Sequence, residues 1–323
     1  MQLYLGVVPG IFPWLKEYSI SKKMKEKQVG IIFSYWSFRK KEKEIISKGL
    51  HDYFSFEGSI IVDSGAYSAF NSGIKIQLQE YSSFLSNLGV QDDDIIVNLD
   101  VIGNPTKSSQ NWLQLINKFN INILPVIHLP EKRNLYPSVD YIGLGGMVPA
   151  FKINQKGSVM DVISWLMYLM SRFPEKRYHG FGIGSPYHQI IFQDFLHSLD
   201  WIGWRRNAAF CSCYTPEGSV YIHEARRKKK RAKGLNSELF ELYSPPFIES
   251  YEILHKPGSE GWIWRTLWNV WWFLVANDYE NQIENSNYVR SLRKKIKQIR
   301  FELRTNKLTK FLQDDDKKNK NLL

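Results

Sequence analysis

Asp63, Asp100, His128 and Asp200 share a placement suited to chemistry: each closes a short run of apolar residues. Ile60-Ile61-Val62 leads into Asp63-Ser64-Gly65, Ile95 to Leu99 leads into Asp100, and Ile121 to Ile127 leads into His128. Two glycine-lined turns, Gly145-Gly146 and Gly182-Ile183-Gly184, follow similar runs, and Asp200 ends the last. A buried strand that stops this abruptly delivers its final side chain to the mouth of a sheet, and Gly65 tolerates the unusual φ/ψ of the bend behind Asp63.

Carboxylates gathered at one mouth suit an exchange at a sugar carbon. One acts as nucleophile and forms a covalent glycosyl intermediate. A second shuttles a proton, and a third accepts hydrogen bonds from the N–H groups of a purine. Glycines let backbone amides approach the base edge. Each residue alone has a plainer reading: Asp63, Asp100 and Asp200 as turn or loop formers, His128 as a satisfied core histidine. Turn chemistry, however, does not require acids at the third, fourth and eighth strands together.

The elements that must position these groups recur at regular intervals. Candidate strands are 3–8, 30–35, 59–63, 95–100, 121–128, 141–146, 178–184 and a short eighth at 197–200. Most are apolar without polar alternation, as expected when helices cover a parallel sheet. Segments of helical spacing lie between them at 14–27, 38–53, 76–88, 107–119, 158–173 and 187–196, while 130–140 is too short and proline-bound for a full helix. The expected fold is therefore α/β: a (β/α)8 TIM-like barrel, with a doubly wound sheet as the alternative. Gly143-Leu144-Gly145-Gly146 lacks the spacing of a dinucleotide fingerprint. The division expected is barrel strands over 1–204, a basic insertion over 205–258, the last barrel helix over 259–288, and a basic C-terminal helix and tail over 289–323.

Hydrophobic residues make up 43% of the 323 positions, ample for a large core, so wholesale disorder is excluded. Two cysteines, Cys211 and Cys213, exclude a disulfide framework and fit a reducing cytoplasm. The first residues lack the basic and long apolar regions of a signal peptide. The greasy run 262–276 holds Arg265 and Asn269 and is shorter than the roughly 20 residues that cross a bilayer, so no membrane partner is expected. Residues 1–200 hold 20 Lys/Arg against 18 Asp/Glu, a net of +2, whereas 201–323 hold 23 against 14, a net of +9. A basic lobe on a near-neutral body is the footprint of a polyanion binder, although a charge run by itself is equally a solvated face.

Six motifs in order carry a resemblance: Val62-Asp63-Ser64-Gly65-Ala66-Tyr67, Asn98-Leu99-Asp100, Val126-Ile127-His128, Leu144-Gly145-Gly146, Phe181-Gly182-Ile183-Gly184-Ser185-Pro186 and Leu199-Asp200-Trp201-Ile202-Gly203-Trp204. Over residues 59–207 the chain resembles the queuine/archaeosine tRNA-guanine transglycosylase superfamily. It most resembles the DNA-acting DpdA-type branch, which places 7-deazaguanine bases in DNA. The resemblance implies Asp200 as nucleophile at C1′ and Asp63 as general acid/base. It implies Asp100 as the reader of the base, with Gly145 and Gly146 amides on its carbonyl and Gly182 nearby. Tyr67 and Phe181 stand where the family sandwiches the base, and His128 stands where the tRNA enzymes usually have glutamine.

Two departures bear on the substrate. Cys211, Cys213 and His223 fall one ligand short of the family's zinc set, with Pro216 where a third cysteine would stand, so neither zinc nor another cofactor is expected. The nucleophile segment reads Ser198-Leu199-Asp200 in place of the usual Phe-Asp pair, so its assignment rests on the spacing from Asp200 to Trp204. Arg205 and Arg206, the run Arg226-Arg227-Lys228-Lys229-Lys230-Arg231 and the basic positions of 290–300 are the expected phosphate contacts. The expected function is exchange of guanine in DNA for a preQ0-like 7-deazaguanine, in a prokaryotic or phage-infected host cytoplasm, with a helper protein that opens the duplex as a further candidate partner. The alternatives are the same exchange in tRNA and a non-catalytic nucleic-acid-binding barrel. DNA is preferred on the Ala66 and Trp204 variants of the motifs and the missing cysteines.

Overall fold

Parallel pairing begins at the first residues: β1 (Gln2–Gly6) lies between β2 (Gly30–Ser34) and the last strand of the sheet, β9 (Ser198–Trp201). The structure, a computed structural model, describes residues 1–10, 20–148, 158–223 and 233–304. From β2 the sheet runs through β3 (Ile60–Asp63) and β4 (Ile95–Val97) to β5 (Ile123–Leu124). From β9 it runs through β8 (Arg177–Gly180) and β7 (Tyr141–Gly145) to β6 (Val126–His128). The order is β5-β4-β3-β2-β1-β9-β8-β7-β6. The expected strand 121–128 is thus divided at Pro125, which has no N–H to give to a ladder. One half pairs with β4 and the other with β7, and the Pro125 carbonyl accepts from Gly143 N–H at 2.8 Å. The nine strands form a nearly closed α/β barrel.

Two apolar layers explain why the strands read as continuous greasy runs. Alternate residues point to opposite faces of a strand. One set, Tyr4, Ile32, Ile61, Val97, Leu124 and Val126, meets as a compact interior cluster with Ile95, Tyr141 and Phe181 against it. The other set, including Leu5, Ile31, Phe33, Val62 and Ile96, joins the far larger core beneath the helices. Burial on both faces leaves no room for polar alternation.

The helical shell follows the expected order, with local differences. Ile20–Glu26, Leu78–Ser86, Pro105–Lys118, Ser158–Arg172 and Pro186–Phe192 are helical. The second expected helix is broken: Glu42–Lys48 and Leu50–Phe54 meet at Gly49, whose φ of 84° ends the first segment. A short helix not foreseen, Ala66–Asn71, starts directly behind Gly65. No helix occupies 130–140, as expected.

The stretch after β9 builds a helix Gly203–Ala209, an antiparallel hairpin of β10 (Ser212–Thr215) and β11 (Gly218–Tyr221), and a helix Ser237–Tyr243. The run 226–231 and the tail from 305 onward lie outside the described residues. The tryptophan-rich helix Gly258–Val275 packs beneath this region, with Trp268 and Trp272 buried. Its polar residues face the protein: Asn269 Nδ2 donates to the Ser212 carbonyl at 3.0 Å, and Asn269 Oδ1 accepts from Tyr214 N–H at 2.9 Å. Arg265 donates to the carbonyls of Ala208 and Leu254 at 2.9 and 2.6 Å. Among the described residues no helix is long and apolar enough to cross a membrane. Because Arg265 is buried, Arg265→Met removes both bonds, leaving the Leu254 carbonyl without this donor while the Ala208 carbonyl keeps the Cys211 N–H at 3.0 Å, and is expected to lower unfolding stability by roughly 1–3 kcal/mol, measured by urea titration. An unchanged midpoint would show that the hairpin is held without it.

Candidate active site

Asp63 reaches the mouth because the chain turns sharply just beyond it. Gly65 has φ +76°, and a Cβ there would lie 2.2 Å from Ser34 Oγ and 2.5 Å from Trp36 Cβ. Both backbone sign and space therefore demand glycine. Behind it, the Tyr81 hydroxyl donates to the carbonyls of Val97 at 2.9 Å and Val62 at 3.3 Å, tying β3 to β4. Burial pushes the Asp63 carboxyl up to about 7, helped by the negative charges of Asp100 and Asp200 and opposed by the N–H groups of Gly65 and Ser64. Asp63, Asp100 and Asp200 lie at or just beyond the C-terminal ends of the parallel strands β3, β4 and β9, so the three acids share one end of the barrel, where the latter two act on Asp63.

Asp100 and His128 meet from neighbouring strand ends, His128 Nε2 lying 2.8 Å from Asp100 Oδ2. The loop after β4 that presents Asp100 is pinned from the Pro105–Lys118 helix. Ser108 Oγ accepts from Val101 N–H at 2.8 Å, Asn111 donates to the Leu99 carbonyl at 2.8 Å, and Asn98 donates to the Ser108 carbonyl at 2.9 Å. On the neighbouring β7 a Cβ at Gly145 would lie 2.3 Å from His128 Cδ2, so this glycine makes the space His128 occupies. Gly146, with φ +77°, turns the chain away.

Asp200 is buried at the end of β9 and held from two sides. Gly182 N–H donates to its Oδ1 at 2.7 Å, and His179 Nε2 lies 3.2 Å from the same oxygen. Gly184 N–H donates to the Asp200 carbonyl at 2.8 Å, and a Cβ on Gly184 would sit 2.7 Å from that carbonyl. The two glycines of 182–184 therefore serve Asp200, one as donor and one as clearance.

The remaining expected site residues are more dispersed. Tyr67 is 45% exposed at the rim on the Ala66–Asn71 helix. Phe181 turns toward the barrel interior, its ring 4.5 Å from that of His179. Between the Ala66–Asn71 helix and the start of the Pro105–Lys118 helix a groove of about 740 Å³ opens beside Asp100. Arg205 and Arg206 are exposed and line a shallower groove of about 480 Å³ with Ile202 and Trp262. The helix Asn287–Arg304 buries Val289, Leu292, Ile296 and Ile299 and exposes Arg290, Lys294 and Lys297. Arg293, by contrast, is engaged with Glu284, and Arg300 lies over the Phe195 ring at 5.1 Å.

Cys211 and Cys213 open the hairpin; Cys213 is fully buried, and burial pushes its thiol up. His223 stands 6.0 Å, ring to ring, from His255. No group of three or more His, Cys, Asp or Glu able to hold a metal occurs among the described residues.

The sequence reading missed His179, which is fully buried in β8 and touches Asp200. It also missed Ser198 and Tyr141, which adjoin it. Strand alternation was the available signal: 179 shares a face with 181, and 198 with 200.

Fold and site together define a parallel α/β barrel whose mouth holds three carboxylates, two of which bear on the third, Asp63, beside glycine-lined turns. Comparison by sequence finds proteins named tRNA-guanine(15) transglycosylase. The chain is 26% identical to that of Nanoarchaeum equitans over 208 residues, which are 57% of this chain and 50% of the relative. It is 27% identical to that of Methanosarcina mazei over 186 residues, 49% of this chain and 36% of the relative. To that of Methanosarcina acetivorans it is 27% identical over 212 residues, 56% and 41%. The matches thus span half or less of the relatives' length. No protein-family model matches the chain. The resemblance to the tRNA-guanine transglycosylase superfamily is therefore carried by aligned sequence as well as by motifs, and the relatives found carry the tRNA name, not that of the DNA-acting branch.

Asp63 makes the fold pH-sensitive. Its native value of about 7 exceeds the ordinary 3.8, so the native state holds a proton that the unfolded chain gives up. The resulting penalty is absent below about pH 4, grows through the interval and is fully developed above about pH 7. Asp63→Asn is expected to match the parent's stability at pH 4 and exceed it by on the order of 1–3 kcal/mol at pH 8. Chemical denaturation at the two pH values checks this, and a pH-independent difference would contradict it.

Proposed function

We propose that this protein exchanges guanine in a polynucleotide for a 7-deazaguanine base through a covalent intermediate on Asp200. The observation that carries the reading is the common mouth of Asp63, Asp100 and Asp200, with Asp63 poised near neutrality. Oδ2 of Asp200 bonds to C1′ as the glycosidic bond breaks, its electron pair leaving with the guanine. Asp63 gives that base a proton, then takes one from the incoming base as the latter attacks C1′ and releases the carboxylate. A group with a value of about 7 holds both forms at neutral pH and suits both steps. Asp100, oriented by His128, accepts from the base's N–H edge, while the amides at Gly145 and Gly146 meet its carbonyl. Tyr67, at the rim, covers one of its faces, whereas the Phe181 ring is turned inward against His179. Attack at C1′ requires the target nucleotide out of its stack, and Arg205 and Arg206 are suited to the flanking phosphates.

The names of the relatives favour tRNA as the polynucleotide. One observation favours DNA as the second reading: the hairpin carries Cys211, Cys213 and His223 but Pro216 in place of a further cysteine, so the zinc element associated with the tRNA enzymes is incomplete. Incubation with labelled 7-deazaguanines and either tRNA or duplex DNA, followed by nucleoside mass spectrometry, separates the two. Incorporation into neither would reject the exchange.

Asp200→Ala is expected to abolish exchange while polynucleotide binding stays within a few-fold; loss of binding and folding together would recast Asp200 as structural. Asp63→Asn is expected to slow exchange by about 10²-fold or more, since it removes the proton transfer with little change of shape. Neutralising Arg226–Arg231 should flatten the salt dependence of binding, and an unaltered slope would mean the run never meets phosphate.

A further inference from the structure

Beneath Asp200 the barrel interior contains a line of polar groups in an otherwise apolar cluster. His179 Nε2 is 3.2 Å from Asp200 Oδ1, and His179 Nδ1 is 2.6 Å from Ser198 Oγ. Ser198 Oγ is in turn 2.5 Å from the Tyr141 hydroxyl. His179 and Ser198 are fully buried. Aromatic edges fix the imidazole plane: Phe181 stands 4.5 Å away at 69°, and Tyr4 5.9 Å away at 71°. Buried polar atoms of this kind are costly unless paired, and here each is paired with the next.

We propose that Tyr141, Ser198 and His179 form a directional hydrogen-bond chain that anchors Oδ1 of Asp200, making His179 the positioning residue of the nucleophile. This rests on the base-exchange reading above.

The direction of the chain follows from counting protons. An ionised carboxylate offers only lone pairs, so Nε2 of His179 donates to Oδ1. If Nδ1 carried a proton too, it would donate to Ser198, Ser198 to Tyr141, and the Tyr141 hydroxyl would have no acceptor among the described residues. With a neutral imidazole every proton is used: Tyr141 donates to Ser198, Ser198 to Nδ1, and Nε2 to Asp200. Burial raises the Tyr141 phenol, which keeps it a donor. Gly182 N–H supplies a second donor to Oδ1. Oδ2 accepts no hydrogen bond among the described residues, so the carboxylate has one tethered oxygen and one available to C1′. In the glycosyl ester Oδ1 becomes the carbonyl oxygen and keeps both donors, so no reorganisation accompanies bond formation.

The test compares the full-length protein with His179→Phe, His179→Gln and Ser198→Ala. Exchange is measured by labelled-base incorporation, melting temperature is followed alongside, and the imidazole ¹⁵N shifts of the substrate-free parent are recorded by NMR. His179→Phe is expected to lower kcat by about 10–100-fold, the usual loss when a group orienting a reactive ligand is removed, with KM and melting temperature near those of the parent. His179→Gln, whose amide can still donate toward Oδ1, should recover part of that loss, and Ser198→Ala should lower kcat less than His179→Phe. The parent should show a protonated Nε2 and an unprotonated Nδ1.

A normal kcat in His179→Phe, or a loss in step with melting temperature and not recovered by Gln, would overturn the positioning role. If the parent exchanges no base in any polynucleotide, the exchange reading fails and the ¹⁵N measurement alone decides the chain: an Nδ1-protonated tautomer or an imidazolium would overturn it.

Discussion

Like charges brought together in a confined mouth repel, and the arrangement of this barrel is largely an answer to that repulsion. Burial is the main reason the Asp63 carboxyl is pushed up, and the charges of Asp100 and Asp200 add to the same effect. The three acids do not share the burden equally. Asp200 accepts from Gly182 and His179, Asp100 faces His128 at 2.8 Å, and Asp63 has only backbone amides working against its neighbours. Asp63, the acid with the weakest support, holds its proton above the ordinary carboxylate range. Environments that push similar groups apart in this way are how acid and nucleophile roles divide among carboxylates.

The scaffold makes the gathering tolerable through closely fitted glycines. Gly65 admits the bend against Ser34 and Trp36, Gly145 admits the His128 ring, and Gly184 admits the Asp200 carbonyl. Each of these approaches is closer than any Cβ would allow, so substituting one displaces a carboxylate or its partner. Loops that carry function are usually mobile, but here Ser108, Asn98 and Asn111 tie the segment bearing Asp100 to its helix. Rigidity of this kind keeps reacting groups within the small tolerances that catalysis demands.

The lobe behind β9 follows a different logic. Its hairpin and short helices bury Cys213, Val220, Leu239 and Tyr243 and pack on one helix, Gly258–Val275, whose buried polar side chains bind their backbone. Trp268 and Trp272 fill space and donate to the carbonyls of Tyr214 and Tyr243, while Arg265 and Asn269 satisfy others. Paired in this way, polar residues in a greasy helix are adhesive and not a defect.

The sequence by itself marked eight apolar runs in the order in which the barrel strands follow one another, because burial on both faces forces continuous apolar runs and each must end where the chain leaves the sheet; the barrel holds nine strands because the fifth run is divided. That rule also marked Asp63, His128 and Asp200, which sit at or next to the ends of β3, β6 and β9, and Asp100, which the loop after β4 carries. It failed inside the strands. His179 lies within its strand, and Ser198 and Tyr141 stand at strand beginnings, so the strand-end rule marks none of them and alternation alone puts 179 and 198 on the faces of 181 and 200. Their meeting depends on β7, β8 and β9 lying side by side, a pairing between residues as much as 57 positions apart that only the closed barrel creates. The division of the fifth strand was likewise settled in three dimensions: Pro125 cannot donate, and only the need to pair one half with β4 and the other with β7 turns that local deficiency into the seam of the barrel.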